Sequence, residues 1–120
     1  MESSFAIYLP HIRQRWLDEQ AGWEKRRQLA WDKAQQIAAL LSEQFRATQV
    51  IVFGSLIQTG SLYDEHSDID LAVSGIVADD FFRAFGAVTA VANPFQVDLI
   101  DLDTAPPKLV ESIRTQGVVL

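Results

Sequence analysis

The 120-residue chain has no cysteine, one methionine and four prolines. Without cysteine there is no disulfide framework, no Cys-type zinc site and no thiol nucleophile. No stretch reaches the roughly 18 apolar residues that a membrane span requires. The start, MESSFAIYLPHIRQ, lacks the basic residues and apolar run of a secretory signal, so a soluble cytoplasmic protein is expected. Positive charge is also scarce, with ten Lys/Arg against sixteen Asp/Glu for a formal charge of −6. A domain whose main ligand is bare nucleic acid needs a basic footprint, and the acidic balance argues against that class. Internal repeats and low-complexity tracts are absent as well.

What remains is enough for one domain. The length falls within the usual range for a single fold, and a chain of this size buries about two-thirds of its unfolded surface. The charge is unevenly spread. Residues 1–60 carry seven Lys/Arg and six Asp/Glu, whereas residues 61–120 carry three and ten. Nine of those ten acids lie between Asp64 and Asp103, with Arg83 the one Lys/Arg among them. Such clustering costs electrostatic self-repulsion. It describes either a solvated acidic face or a site that holds divalent cations.

Residues 1–10 read as an irregular lead ending at Pro10. From about His11 to Arg46 the chain is free of proline and rich in Gln, Glu, Arg, Ala and Leu, all good helix formers. Ile12, Trp16, Trp23, Ala30, Ala34, Ile37 and Leu41 recur at helical steps and form one apolar stripe. Gly22 marks a candidate bend or break. An unbroken helix here spans roughly 50 Å, so the region either breaks or projects. The period then changes to two. Gln49–Phe53 is a short apolar run stopped by Gly54, as in a buried strand. Asp68–Val73 begins with polar/apolar alternation, and Phe95–Leu102 reads as a third strand. Between them, Asp79–Val91 has a helical apolar face with Asp79 or Asp80 as candidate cap, ended by Asn93-Pro94. Pro106-Pro107 opens a last helix ending near Gly117, and Val118–Leu120 adds an edge strand. This order indicates an α+β or α/β domain, with residues 1–47 helical and 48–120 holding the sheet.

Three elements bear chemistry. Asp68 and Asp70 stand two apart in a strand and so share a face. Two carboxylates so close raise one another's pKa unless a cation intervenes, and Mg²⁺ with its oxygen ligands resolves the conflict. A charge-blunted strand edge produces the same pattern. Gly54-Ser55 ends an apolar strand where glycine permits a sharp turn and close ligand approach; an ordinary turn also fits. Asp98 interrupts an apolar strand, which is costly unless it faces the same acidic cleft. Asp101 has the opposite parity, and Asp103 lies at the strand end as a cap or solvent-facing group.

Together VIVFGS, SDIDLAV and FQVDLIDLD, continued by PPKLVESIRTQGVVL, resemble the minimal nucleotidyltransferases of the nucleotidyltransferase superfamily over about residues 48–120. The resemblance implies a DNA polymerase beta-like α+β fold, a small mixed sheet flanked by helices, here with an N-terminal helical extension. It also implies that Gly54 and Ser55 hold the phosphates of a nucleoside triphosphate. Asp68, Asp70 and Asp98 are then the catalytic residues and the ligands of two Mg²⁺ ions, with Asp98 helping to deprotonate the acceptor hydroxyl. Two features depart from many relatives: a twelve-residue loop (56–67), and Leu56-Ile57-Gln58 where an arginine often follows Gly-Ser.

In 120 residues the second domain that small-molecule transferases of this superfamily usually carry is not expected. The family resemblance then implies an antitoxin that adenylylates a tyrosine hydroxyl of a HEPN-type RNase toxin, using ATP. The alternatives are a binding-only antitoxin and a transferase for a small-molecule hydroxyl. A nucleotide sensor is a further, weaker reading. No membrane and no direct nucleic-acid partner is expected. His66 reads as a loop residue with a secondary metal-ligand reading, and His11 has no role. Asp64 and Glu65 read as solvated, as do Arg13, Arg15, Lys25, Arg26 and Arg27 beside the helical stripe. Trp16 and Trp23 either pack on the chain's own sheet or, on a projecting helix, enter an interface.

Overall fold

A computed structural model describes residues 2–58 and 63–120, with side chains from residue 12 onward. Residues 59–62 of the long loop and the side chain of His11 lie outside the described residues. Helix α1 spans Glu2–Phe45, strand β1 Gln49–Phe53, and a 3-10 turn Gly54–Leu56. Strand β2 (Ile69–Ser74), helix α2 (Ala78–Ala92) and strand β3 (Val97–Asp101) follow. Helix α3 (Pro107–Gln116) and the short strand β4 (Val118–Val119) complete the fold. The sheet order is β3-β2-β1-β4. Strands β1 and β2 pair antiparallel, β2 and β3 parallel, and β4 runs antiparallel on the outer edge of β1. The crossover helix α2 is what lets β2 and β3 run parallel. This is the small mixed sheet flanked by helices that the family resemblance implied.

Alternation along the strands divides the sheet into two faces. Val50 and Val52, Ile69, Leu71 and Val73, and Val97 and Leu99 join one core. Ala30, Ala34, Ile37 and Leu41 of α1 and Ala84, Val88 and Ala92 of α2 complete that core. On the opposite face Ile51, Ala72 and Leu102 meet Ile113 of α3, with Phe53, Ile100 and Val110 packed alongside. Strand β1 is therefore covered on both faces at its centre, which explains why it reads as a continuous apolar run.

Three expectations need correction. The lead is helical: α1 begins at Glu2 and passes through Pro10, which removes a single backbone hydrogen bond without ending the helix. Gly22 does not break it either. The helix ends at Phe45, with Arg46 in the left-handed region (φ 61°) and the Ala47 N–H returning to the Leu41 carbonyl at 3.0 Å. The longest dimension of the molecule, 65 Å, reflects this one helix. Its apolar stripe splits: Ala30 to Leu41 are fully buried, whereas Ile12 and Trp16 are 61% and 52% exposed. Neither Asp79 nor Asp80 caps α2. Val77 is its N-cap, both aspartates sit in the first turn where they complement the helix dipole, and Asp80 pairs with Arg83 at 2.7 Å.

Candidate active site

The acidic residues assemble on the face that α3 only partly covers. Across the sheet, Phe53 of β1 is in register with Asp70 of β2, and Asp70 with Asp98 of β3. Residues paired across neighbouring strands project to the same face. Asp70 and Asp98 thus stand side by side, in the row next to the one α3 covers. Asp68 precedes β2 by one residue and shares the parity of Asp70. The clustering predicted from spacing in one strand is completed by a second strand 28 residues later.

The electrostatics follow from this placement. Asp70 is only partly exposed, and its carboxyl is pushed from 3.8 up to about 6. Burial is the largest cause, followed by the charge of Asp98 and then that of Asp68. Among the described residues no cation offsets this shift, as expected of a carboxyl without a counter-charge.

Gly54 closes the site from β1. It has a left-handed φ of 76°, and a Cβ there would overlap Oδ2 of Asp70 and lie 3.2 Å from its Cγ. Glycine is needed here for both conformation and space. Ser55 lies in the 3-10 turn that follows. Beside them a cavity of about 480 Å³ opens between the end of β1 and α3, lined by Phe53, Gly54, Ile57, Gln58, Leu109 and Ser112 among others.

The oxygen-only donor set of Asp68, Asp70 and Asp98 suits a hard divalent cation, and the crowded Asp70 carboxyl fits a site completed by one. Among the described residues, no three acid or imidazole groups are arranged to enclose a single ion. What brings the carboxylates together is the register of Asp70 with Asp98 and the influence of the Asp98 and Asp68 charges on Asp70.

Other acidic and basic residues resolve differently. Asp64 is not simply solvated. Its Oδ1 accepts the His66 N–H at 2.9 Å and the Ser67 hydroxyl at 3.3 Å, so it ties the turn leading to Asp68. His66 and Glu65 are the exposed tip of that turn, 84% and 82% exposed and 3.5 Å apart. Asp103 accepts the Gly75 N–H at 2.9 Å, and Asp101 accepts the Asp103 N–H at 3.0 Å; both shape the strand end away from the cluster. Arg26 is not a solvated helix residue, since its Nε donates to the Asp64 carbonyl at 2.9 Å.

Sequence reasoning missed Tyr63 altogether. It is 1% exposed, and its hydroxyl has no hydrogen-bond partner among the described residues. Burial pushes its phenol up to about 12, with Asp68 and Asp70 adding to the shift and Arg26 and Arg27 opposing it. Position in a polar loop gave no signal of this, because only the fold brings Tyr63 into the core with α1.

The sequence profile of the family described as Polymerase beta, Nucleotidyltransferase matches residues 35–120. The chain belongs to this family. The resemblance carried by VIVFGS and SDIDLAV therefore holds at the family level, and the enzyme class is that of a nucleotidyltransferase. Solved structures share the fold of this nucleotidyltransferase. One, assigned as a minimal nucleotidyltransferase, is 24% identical with a TM-score of 0.64, covering 78% of this chain and 95% of that one. A chain of a toxin–antitoxin structure with AMP-PNP is 27% identical with a TM-score of 0.59, covering 72% and 70%. A chain from a complex of tri-AMPylated Shewanella oneidensis HEPN toxin with MNT antitoxin is 26% identical with a TM-score of 0.55, covering 78% and 70%. No curated protein matches the chain. Among the described residues, no helix is long and apolar enough to cross a membrane.

Proposed function

We propose that this nucleotidyltransferase moves AMP from ATP to a hydroxyl, a tyrosine of a HEPN-type toxin, and so acts as that toxin's antitoxin. The observation that carries the chemistry is the in-register pair of Asp70 and Asp98, closed by a glycine with no room for a side chain. The likeness to chains of toxin–antitoxin complexes, one with AMP-PNP and one with an AMPylated HEPN toxin, supports the nucleotide and the acceptor class.

Each residue then has a role. Gly54 and Ser55 lie against the triphosphate, with Gly54 allowing close backbone approach. The nucleoside occupies the cavity beside Gly54. Asp68, Asp70 and Asp98 are the residues that would hold two Mg²⁺ ions. When bound, the ions neutralise the carboxylates and the phosphates together, which is how an acidic site accepts an anionic nucleotide. Asp98, exposed at the rim, takes the proton of the acceptor hydroxyl. The hydroxyl oxygen forms its bond to the α-phosphorus as the bond to pyrophosphate breaks, and pyrophosphate leaves.

The test is mass spectrometry of the toxin co-expressed with this chain, or incubated with it, ATP and Mg²⁺. Addition of one or more AMP groups is expected. An unchanged toxin mass overturns AMP transfer. Neutralisation that survives the Asp68→Asn, Asp70→Asn double variant at equal dose overturns the catalytic reading in favour of masking.

A further inference from the structure

Arg26 belongs to the part of α1 that precedes the family match at residue 35, yet it is anchored in the loop that delivers Asp68. Its Nε donates to the Asp64 carbonyl at 2.9 Å. The same carbonyl accepts the Ser67 N–H at 3.1 Å, so Arg26 braces the oxygen on which the Asp64–Ser67 turn closes. Its guanidinium also lies over the ring of Phe95, 4.5 Å from the centroid. Phe95 is buried, and the next residue, Gln96, receives the Ile69 N–H on its carbonyl at 2.9 Å. Asp68 thus sits between a residue bonded to the carbonyl that Arg26 holds and a residue bonded to the neighbour of the ring on which Arg26 stacks. Ser67 precedes it in the braced turn, and Ile69 follows it on the rung beside Phe95. Arg26 and Asp68 also line one polar cavity of about 260 Å³, with Ser67 and Gln96.

We propose that Arg26 is a positioning residue for the transfer reaction, fixing Asp68 beside Asp70 and Asp98 through the Asp64 turn and the Phe95 ring. The proposal rests on the catalytic role given to Asp68 above. It assigns the N-terminal extension a part in the chemistry. Lysine is a poor replacement, because the function needs a planar group that stacks on a ring while its edge donates to a carbonyl.

The test compares Arg26→Ala, Arg26→Lys and, as control, the exposed neighbour Lys25→Ala, all in the full chain. Two readouts are taken: transfer kinetics with ATP, Mg²⁺ and a HEPN-type toxin as acceptor, and amide hydrogen exchange of the protein alone. For Arg26→Ala, kcat falls by about tenfold or more, as expected for a displaced catalytic group, while KM for ATP stays near the wild-type value. Exchange at the amides of His66, Ser67 and Ile69 speeds up, and exchange in α2 and the centre of β1 does not. Arg26→Lys recovers only part of kcat, and Lys25→Ala matches the wild type in both readouts. Unchanged exchange at residues 66–69 in Arg26→Ala overturns the proposal, as does a kcat equal to the wild type. Equal losses in Lys25→Ala also overturn it, since they reveal a general effect of helix charge. A wild-type chain that transfers no AMP overturns the proposed function instead, and the exchange readout then decides Arg26 by itself.

Discussion

The two faces of the sheet are built from alternate residues of the same three strands, yet they do different work. On the α1/α2 face every inward position of β1 and β2 is aliphatic and fully or nearly fully buried. On the α3 face the central row, Ile51 and Ala72, is buried, but the next row is Phe53, Asp70 and Asp98. Two helices seal the first face, while the ten-residue α3 covers only part of the second. The first face is where stability resides. The second gives up apolar burial, and places carboxylates that repel one another, in exchange for a polar site on a rigid support.

The contrast is sharpest for Asp70→Asn against Leu71→Ala, adjacent residues on opposite faces. Asp70→Asn should lower nucleotidyl transfer on the order of a thousandfold, since it removes a charge central to the cluster. Thermal stability should not fall, because a repelled carboxylate is lost. Leu71→Ala should reverse the pattern, costing about 2–5 kcal/mol in urea unfolding. The comparison breaks if Asp70→Asn melts the protein or Leu71→Ala leaves its stability intact.

Gly54→Ala bears on where the faces meet the turn. Its methyl group would overlap the Asp70 carboxylate, and a misplacement of about 1 Å in a catalytic group costs about a hundredfold in rate. The positive φ adds a stability loss of about 1 kcal/mol. Comparable steady-state rates for variant and wild type would remove Gly54 from the site.

The pH dependence of stability also distinguishes the faces. The folded pKa of Asp70 lies above its ordinary value, so folding favours the protonated form. The contribution is present in full below about 3.8 and is lost as pH rises through about 6. Melting of the metal-free protein across this window should show a loss with rising pH that Asp70→Asn lacks and Mg²⁺ offsets. An identical slope in the variant would remove Asp70 as its source.

The smallest effect is expected at the far end of α1. Trp16→Ala should change stability by no more than about 0.5 kcal/mol, because the side chain is half exposed. A larger loss in a melt would mean that the exposed part of the stripe is covered in solution.

Much of this architecture was legible beforehand. Strand β1 announced itself as a short apolar run stopped by Gly54, β2 by polar/apolar alternation and the helices by period 3.6, and the aspartate pair was visible from its spacing. The bounds of α1 were not, because Pro10 and Gly22 are local signals that a continuous run of helix formers overrode. The stripe from Ile12 to Leu41 also has one period throughout, so nothing local distinguishes the half that packs from the half that does not. Arg26 and Asp64 read as solvated for a similar reason, since their contact joins residues 38 apart.

By itself the sequence determined the elements and the identity of the acids, because side-chain periodicity and backbone preferences are local. The tertiary structure decided the register that sets Asp98 beside Asp70, the overlap that makes Gly54 obligatory, and the burial that raises Asp70 and hides Tyr63. Those depend on which strands become neighbours and which helix covers them, and such distances exist only after the chain has folded.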